Sequence, residues 1–242
     1  MAVTRKIRCK VDRIETHEGG VYTLYLVPED LVPRFRPGQF LHLTLDEYDP
    51  SGYWPESRIF SIASSPLKRD GLKISYSVKG RYTARMEKEL HAGSSVWIKL
   101  PYGDFIIGGN ADVVLFAGGT GITAFTAFID GLQLGFSHNI YLAYGARRRD
   151  LLLYREEINR KRRDVPQLAV RYFIEDGSGM PESSKEEEVP GRVSVGAMWP
   201  LIRDPLSSVY YISGPPVMLS AITEELCGHN VSRESILIDS WE

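Results

Sequence analysis

The sequence predicts a six-stranded antiparallel β-barrel followed by a parallel, five-stranded α/β domain. Three observations predict it. Residues 5–106 carry short alternating or aromatic-rich runs punctuated by Gly, Pro and Asp, as strands joined by turns do. Beyond residue 111 the period changes, and short apolar runs alternate with helical patterns. Between the halves stands Gly108-Gly109-Asn110, a hinge by composition, which puts the domains at 1–108 and 109–242. A chain of 242 residues suffices for two domains of ordinary size.

In the first half the strands fall at 5–14, 21–27, 39–45, 58–63, 72–78 and 95–99. One helix interrupts them at 82–91, where Tyr82, Met86 and Leu90 recur every fourth position and mark one face. In the second half strands are expected at 113–116, 140–144, 168–174, 209–212 and 235–238. Helical patterns at 123–134, 150–161, 194–202 and 216–227 separate most of them, and this alternation covers a parallel sheet on both faces. Pro215 and Pro216 suit the first turn of the last helix, where a missing N–H costs little. Residues 175–191, rich in Gly, Ser, Pro and Glu, read as a long mobile loop.

Composition excludes several function classes. With 43% hydrophobic and 25% charged residues the chain reads as folded and globular. A net charge of −2 gives no reason to expect nucleic acid or an anionic membrane as partner. No apolar run reaches the length of a membrane span, and residues 1–10 lack a secretory apolar core, so the expected location is the cytoplasm. Cys9 and Cys227 cannot supply four thiolates to an iron–sulfur cluster, and the five histidines show no zinc-like spacing. No metal site is expected.

Five segments carry chemistry. Arg58-Ile59-Phe60-Ser61 combines a guanidinium suited to phosphate, a ring suited to a flat heterocycle and a hydroxyl suited to a ring nitrogen. Those are the needs of a flavin dinucleotide on a sheet; a buried strand with an ion-paired Arg58 is the plainer reading. Gly80-Arg81-Tyr82-Thr83 sits where a strand gives way to a helix, so its N–H groups and helix dipole make an anion site; a helix capped by Thr83 is the alternative. Gly118-Gly119-Thr120-Gly121-Ile122-Thr123-Ala124 follows a strand and opens a helix, the context in which glycines let backbone amides approach a dinucleotide pyrophosphate. Tyr144-Gly145-Ala146-Arg147 and Ser213-Gly214-Pro215-Pro216-Val217-Met218 close two further strands, where ligands of such sheets collect.

These segments, in this order, resemble the ferredoxin–NADP⁺ reductase superfamily across almost the whole chain, from Lys6 to Trp241. The resemblance implies a flavin-binding barrel and a Rossmann-like nicotinamide dinucleotide domain, with the reaction where the two meet. It implies FAD on Arg58–Ser61 and Gly80–Thr83, and NADH on Gly119–Thr123, Arg147, Gly214 and Pro215. Ser61 and Ser213 are the expected catalytic hydroxyls; Ser213 replaces the family's usual cysteine, and Phe125 replaces a proline. Trp241 is placed either over the flavin face or as a terminal packing residue. Glu175 ends the third α/β strand, where an acidic side chain accepts ribose hydroxyls but repels a 2′-phosphate, so NADH is favoured over NADPH. Arg147, Arg148 and Arg149 argue the other way.

The activity so implied is hydride transfer from NAD(P)H to bound FAD, then single electrons to a ferredoxin-like protein or oxygenase component. Alternatives are an NAD(P)H:flavin reductase with diffusible flavin, or a non-autonomous electron-transfer or redox-sensing subunit.

Overall fold

The structure is a computed structural model describing residues 3–133, 135–176 and 188–239. It divides into two units, residues 1–106 and 107–242.

The first unit contains β1 (Arg5–His17), β2 (Val21–Pro28), β3 (Phe40–Thr44), β4 (Arg58–Ser61), β5 (Leu72–Ser77), α1 (Arg81–Glu89) and β6 (Ser95–Tyr102). The strands pair antiparallel in the order β4-β3-β6-β1-β2-β5. Just past β4 the chain meets β5: Ala63 N donates to Lys73 O at 2.8 Å, and Ser64 Oγ accepts from Lys73 N at 3.2 Å. These contacts bring the two outer strands together and leave little open edge. Val11, Leu24, Leu41, Ile74 and Ile98 are fully buried in this unit.

The α1 helix is amphipathic, burying Tyr82 and Met86 one turn apart. The Tyr82 phenol donates to Leu43 O at 2.9 Å and accepts from Leu45 N at 3.2 Å, fastening the helix start to the end of β3. Burial pushes that phenol above the ordinary tyrosine range. Leu90, expected inside the helix, instead caps it in an extended conformation. Tyr82→Phe is expected to strand both backbone groups and lower the unfolding free energy by about 1–3 kcal/mol, read by urea denaturation.

The second unit contains β7 (Val113–Gly118), α2 (Thr123–Gly131), β8 (Ile140–Ala146), α3 (Arg155–Asp164), β9 (Leu168–Ile174), β10 (Glu188–Pro190), α4 (Val195–Met198), β11 (Val209–Ser213), α5 (Pro216–Gly228) and β12 (Ile236–Asp239). All six strands run parallel in the order β10-β9-β8-β7-β11-β12. The five expected strands are present, and β10 is added at the edge by pairing with Tyr172–Ile174. Three helices are shorter than their patterns suggest, α2 ending at Gly131 where the pattern runs on to 134. The 150–161 pattern is broken by Tyr154 at φ 58°, so α3 begins only at Arg155. The 194–202 pattern is one α turn followed by a 3₁₀ turn, where Pro200 cannot supply an N–H. Of the loop expected at 175–191, residues 177–187 lie outside the described residues.

Every residue of β7 and β8 is buried, as central strands covered on both faces must be. Phe116, Phe173, Tyr210 and Ile212 pack with Val195, Met198, Ile222 and Leu226. The α4 turn is capped from outside: Glu225 accepts from Val195 N at 3.0 Å and Gly196 N at 2.7 Å. At the N-terminal ends of β7 and β8, Asp112 accepts from Asn139 N at 2.8 Å and from Asn139 Nδ2 at 2.9 Å. Among the described residues no helix is long and apolar enough to cross a membrane, and no group of three or more side chains could hold a metal. Cys9 is buried, and burial pushes its thiol up to about 12, consistent with a structural residue.

Candidate functional site

The parallel sheet reverses its strand order at β7, which has β8 on one side and β11 on the other. Ligands of open α/β sheets bind at such a reversal, outside the C-terminal strand ends. There the turn after β7 lies against the end of β11. A Cβ on Gly121 would stand 2.3 Å from Ser213 O, and one on Gly118 2.5 Å from Met218 Sδ. Gly121 is therefore demanded by packing against backbone, whereas the obstacle at Gly118 is the movable Met218 side chain, with Pro215 Cδ at 3.0 Å. Gly119 is different: it adopts φ +53°, and nothing lies within 4 Å of where its Cβ would be. It leaves an open cradle at a 3₁₀ turn, Gly119–Ile122, that leads into α2. Exposed amides at a helix start favour an anion. Thr123 Oγ1 donates to Thr120 O at 2.9 Å and tightens the turn.

The same close approach brings Gly119–Thr123 together with Ser213, Gly214 and Pro215. Ser213 is buried, and its Oγ donates to Asp239 Oδ2 at 3.0 Å. Asp239 was not foreseen as a site residue, although the parallel register places it directly beside Ser213. Trp241 lies outside the described residues.

A cavity of about 580 Å³ opens near the ends of β8 and β9, lined by Arg148, Arg149, Asp150, Arg155 and Asp176. Arg148 Nε donates to Asp150 Oδ1 at 3.0 Å. Arg149 meets the Glu188 carboxylate at 2.9 Å, and Arg155 pairs with the same oxygen. Arg147 and Glu175, expected here, are not among the lining residues. Arg147 is exposed, with its carbonyl accepting from Asp176 N at 3.1 Å, and Glu175 faces Arg192 at 3.5 Å. The acidic side chains lining the cavity are Asp150, engaged by Arg148, and Asp176.

In the barrel unit, Arg58 lies over the Tyr82 ring at 4.8 Å and donates to Glu56 Oε1 at 3.0 Å. Arg81, its side chain 94% exposed, stands 3.9 Å from the other Glu56 oxygen. The structure thus brings the cations of two separate motifs to one carboxylate. Gly80 beside them has nothing within 4 Å of a Cβ, so the approach is open. Thr83 occupies the third helical position rather than the cap, and its Oγ1 accepts from Lys79 N at 3.0 Å and Gly80 N at 3.1 Å. Those two amides are consequently engaged by the turn itself. Phe60 is buried and tilted against Tyr76 at 6.1 Å, while Ile59 and Ser61 are half-buried. With the Lys79 and Gly80 amides engaged, the two guanidiniums are the groups here suited to a phosphate, while Gly119 leaves open backbone at the second turn.

Residues 115–224 match the family model described as the oxidoreductase NAD-binding domain. The chain aligns along 96% of its length with 97% of the flavohem-like FAD/NAD-binding domain of nitric oxide dioxygenase from Vibrio cholerae, at 18% identity and a TM-score of 0.81. In fold the chain is also similar to a ferredoxin NADP⁺ reductase from Neisseria gonorrhoeae, at 14% identity over 98% of each chain and a TM-score of 0.75. Among curated relatives, an NAD(P)H-flavin reductase of Vibrio harveyi is 32% identical over 63% of the chain and 65% of the relative. The reductase component of propane 2-monooxygenase from Mycolicibacterium goodii is 24% identical over 97% of the chain and 67% of the relative. The chain thus spans about two thirds of the length of both.

Arg58→Ala is expected to weaken FAD binding to the barrel unit about tenfold or more, the worth of a charge-assisted contact. Arg85→Ala on α1, where Arg85 is engaged by Asp46 and Glu89, leaves it unchanged. Flavin fluorescence titration separates the two.

Proposed function

We propose that the chain is a flavoprotein oxidoreductase using NADH, bound FAD and a protein electron acceptor, either a ferredoxin-like protein or an oxygenase component. The observation carrying this reading is that each unit of a reductase-like fold has an open glycine cradle, Gly80 and Gly119, at a helix start. When bound, the flavin accepts hydride from the nicotinamide and releases electrons one at a time.

The chain's own residues bind and orient. Arg58 and Arg81 neutralise the flavin pyrophosphate, displacing Glu56 as their anion. Ser61, half-buried at the end of β4, supplies a hydroxyl to the isoalloxazine edge, and Phe60 packed on Tyr76 stiffens the strand beneath it. The amides of Gly119–Ile122 hold the second pyrophosphate. Because the Ser213 proton is committed to Asp239, the Oγ lone pairs remain to accept from the carboxamide of nicotinamide. This fixes the ring's orientation, which proximity-driven transfer needs. Ser213→Ala is expected to slow NADH-driven flavin reduction roughly tenfold in stopped flow, with Asp239→Asn giving a similar, non-additive loss.

NADH is favoured because the arginines of the cavity are matched internally, Arg148 to Asp150 and both Arg149 and Arg155 to Glu188. Asp176 adds a carboxylate suited to ribose hydroxyls. Reduced nicotinamide dinucleotide as electron source is the reason to place this reaction in the cytoplasm.

A second reading is an NAD(P)H:flavin reductase whose flavin diffuses away. It is favoured by the exposure of Arg81 and by the likeness to the Vibrio harveyi enzyme. Retention of FAD through gel filtration decides between them. The test of the main reading is the spectrum of protein reconstituted with FAD, before and after anaerobic NADH. The flavin band is expected to bleach; protein that takes up no flavin, or stays oxidised with NADH but not with NADPH, overturns it.

A further inference from the structure

Glu188, the partner of two cavity arginines, stands in an unusual place for a carboxylate. It belongs to a three-residue edge strand, yet its side chain is 0% exposed. The ladder pairing Glu188 with Tyr172 fixes its backbone, and both Arg149 and Arg155 converge on its Oε1. Arg155 is further held over the Tyr172 ring at 5.3 Å. Among the described residues Glu188 Oε2, Arg149 Nε and Arg155 Nε have no hydrogen-bond partner. Burying a carboxylate with one oxygen unsatisfied costs stability, and a solvated surface strand would not require it. The two guanidiniums it holds are cavity-lining residues.

We infer that Glu188 is a positioning residue that makes the cavity discriminate against a ribose 2′-phosphate by keeping Arg149 and Arg155 engaged. This rests on the reading that the cavity takes the adenosine ribose of the nicotinamide dinucleotide. A dianionic phosphate entering there must compete with a carboxylate already seated on both arginines. It must also sit near that buried negative charge, where low dielectric strengthens the repulsion. A neutral 2′-hydroxyl meets neither obstacle. Arg148 does not change the balance, since Asp150 neutralises it in the same cavity.

The test is calorimetric titration with 5′-AMP and with adenosine 2′,5′-bisphosphate, which needs no flavin, alongside kcat/KM for NADH and NADPH. Wild type is expected to bind 5′-AMP more tightly. Glu188→Gln is expected to raise affinity for the bisphosphate about tenfold with 5′-AMP unchanged, and to shift the NADPH/NADH ratio equally. Adding Arg149→Met to Glu188→Gln reverses the gain. A Glu188→Gln protein with native melting behaviour and an unchanged ratio overturns the inference while leaving NADH oxidation, and so the functional reading, intact. Should Glu188→Gln fail to fold, Arg149→Met alone decides: a tenfold loss of bisphosphate affinity would mean Arg149 already serves a phosphate, and the inference fails. Wild type binding neither nucleotide overturns the functional reading itself.

Discussion

The second unit depends on one steric condition: two strand ends must meet backbone to backbone. The turn after β7 approaches the end of β11 so closely that a side chain at Gly121 would overlap Ser213 O, standing 2.3 Å away. Gly214, at φ +156°, meets Gly118 from the other side, where a Cβ would lie 3.1 Å from Gly118 Cα. Much follows from this contact. It sets where α2 begins, leaves Gly119 facing open space, and delivers Ser213 to Asp239. Glycine here serves two purposes at neighbouring positions, tight backbone packing at 121 and open backbone at 119. A motif read as one phosphate loop is physically two devices.

The barrel unit separates its duties differently. Tyr82, buried beneath the helix start, ties α1 to β3, while Arg81 one residue earlier is almost wholly in solvent. Adjacent residues thus divide anchoring from anion capture. Glu56 completes the arrangement by keeping Arg58 and Arg81 from repelling one another when no ligand neutralises them. Surface pairs of this kind contribute little stability, so exchanging the carboxylate for a phosphate costs little.

Most of the architecture was legible because hydrophobic period and turn residues agree over long stretches. Among the described residues, eleven of the twelve strands fall where alternation or short apolar runs place them. The exception, β10, is three residues long with Val189 as its one apolar aliphatic side chain, too little for periodicity to register. It exists because β9 offers it an edge. The same cause hid Glu188, which stands at the end of the run Glu186-Glu187-Glu188 and reads as solvated charge. Its burial is a tertiary fact, settled by two arginines from elsewhere in the chain. Asp239 and Glu56 were equally invisible, since what distinguishes them is a partner brought close by folding. Arg147 and Glu175 illustrate the converse: each sits one position from a residue that lines the cavity, since local backbone direction is not legible in the sequence.

The Asp112–Asn139 clasp ties the opening ends of two central strands, far along each strand from the glycine turns. The clasp thereby adds a tie at the pole opposite the open backbone of Gly119. On the proposed reading, residues following β8 can be exchanged to alter coenzyme preference while this tie is left untouched.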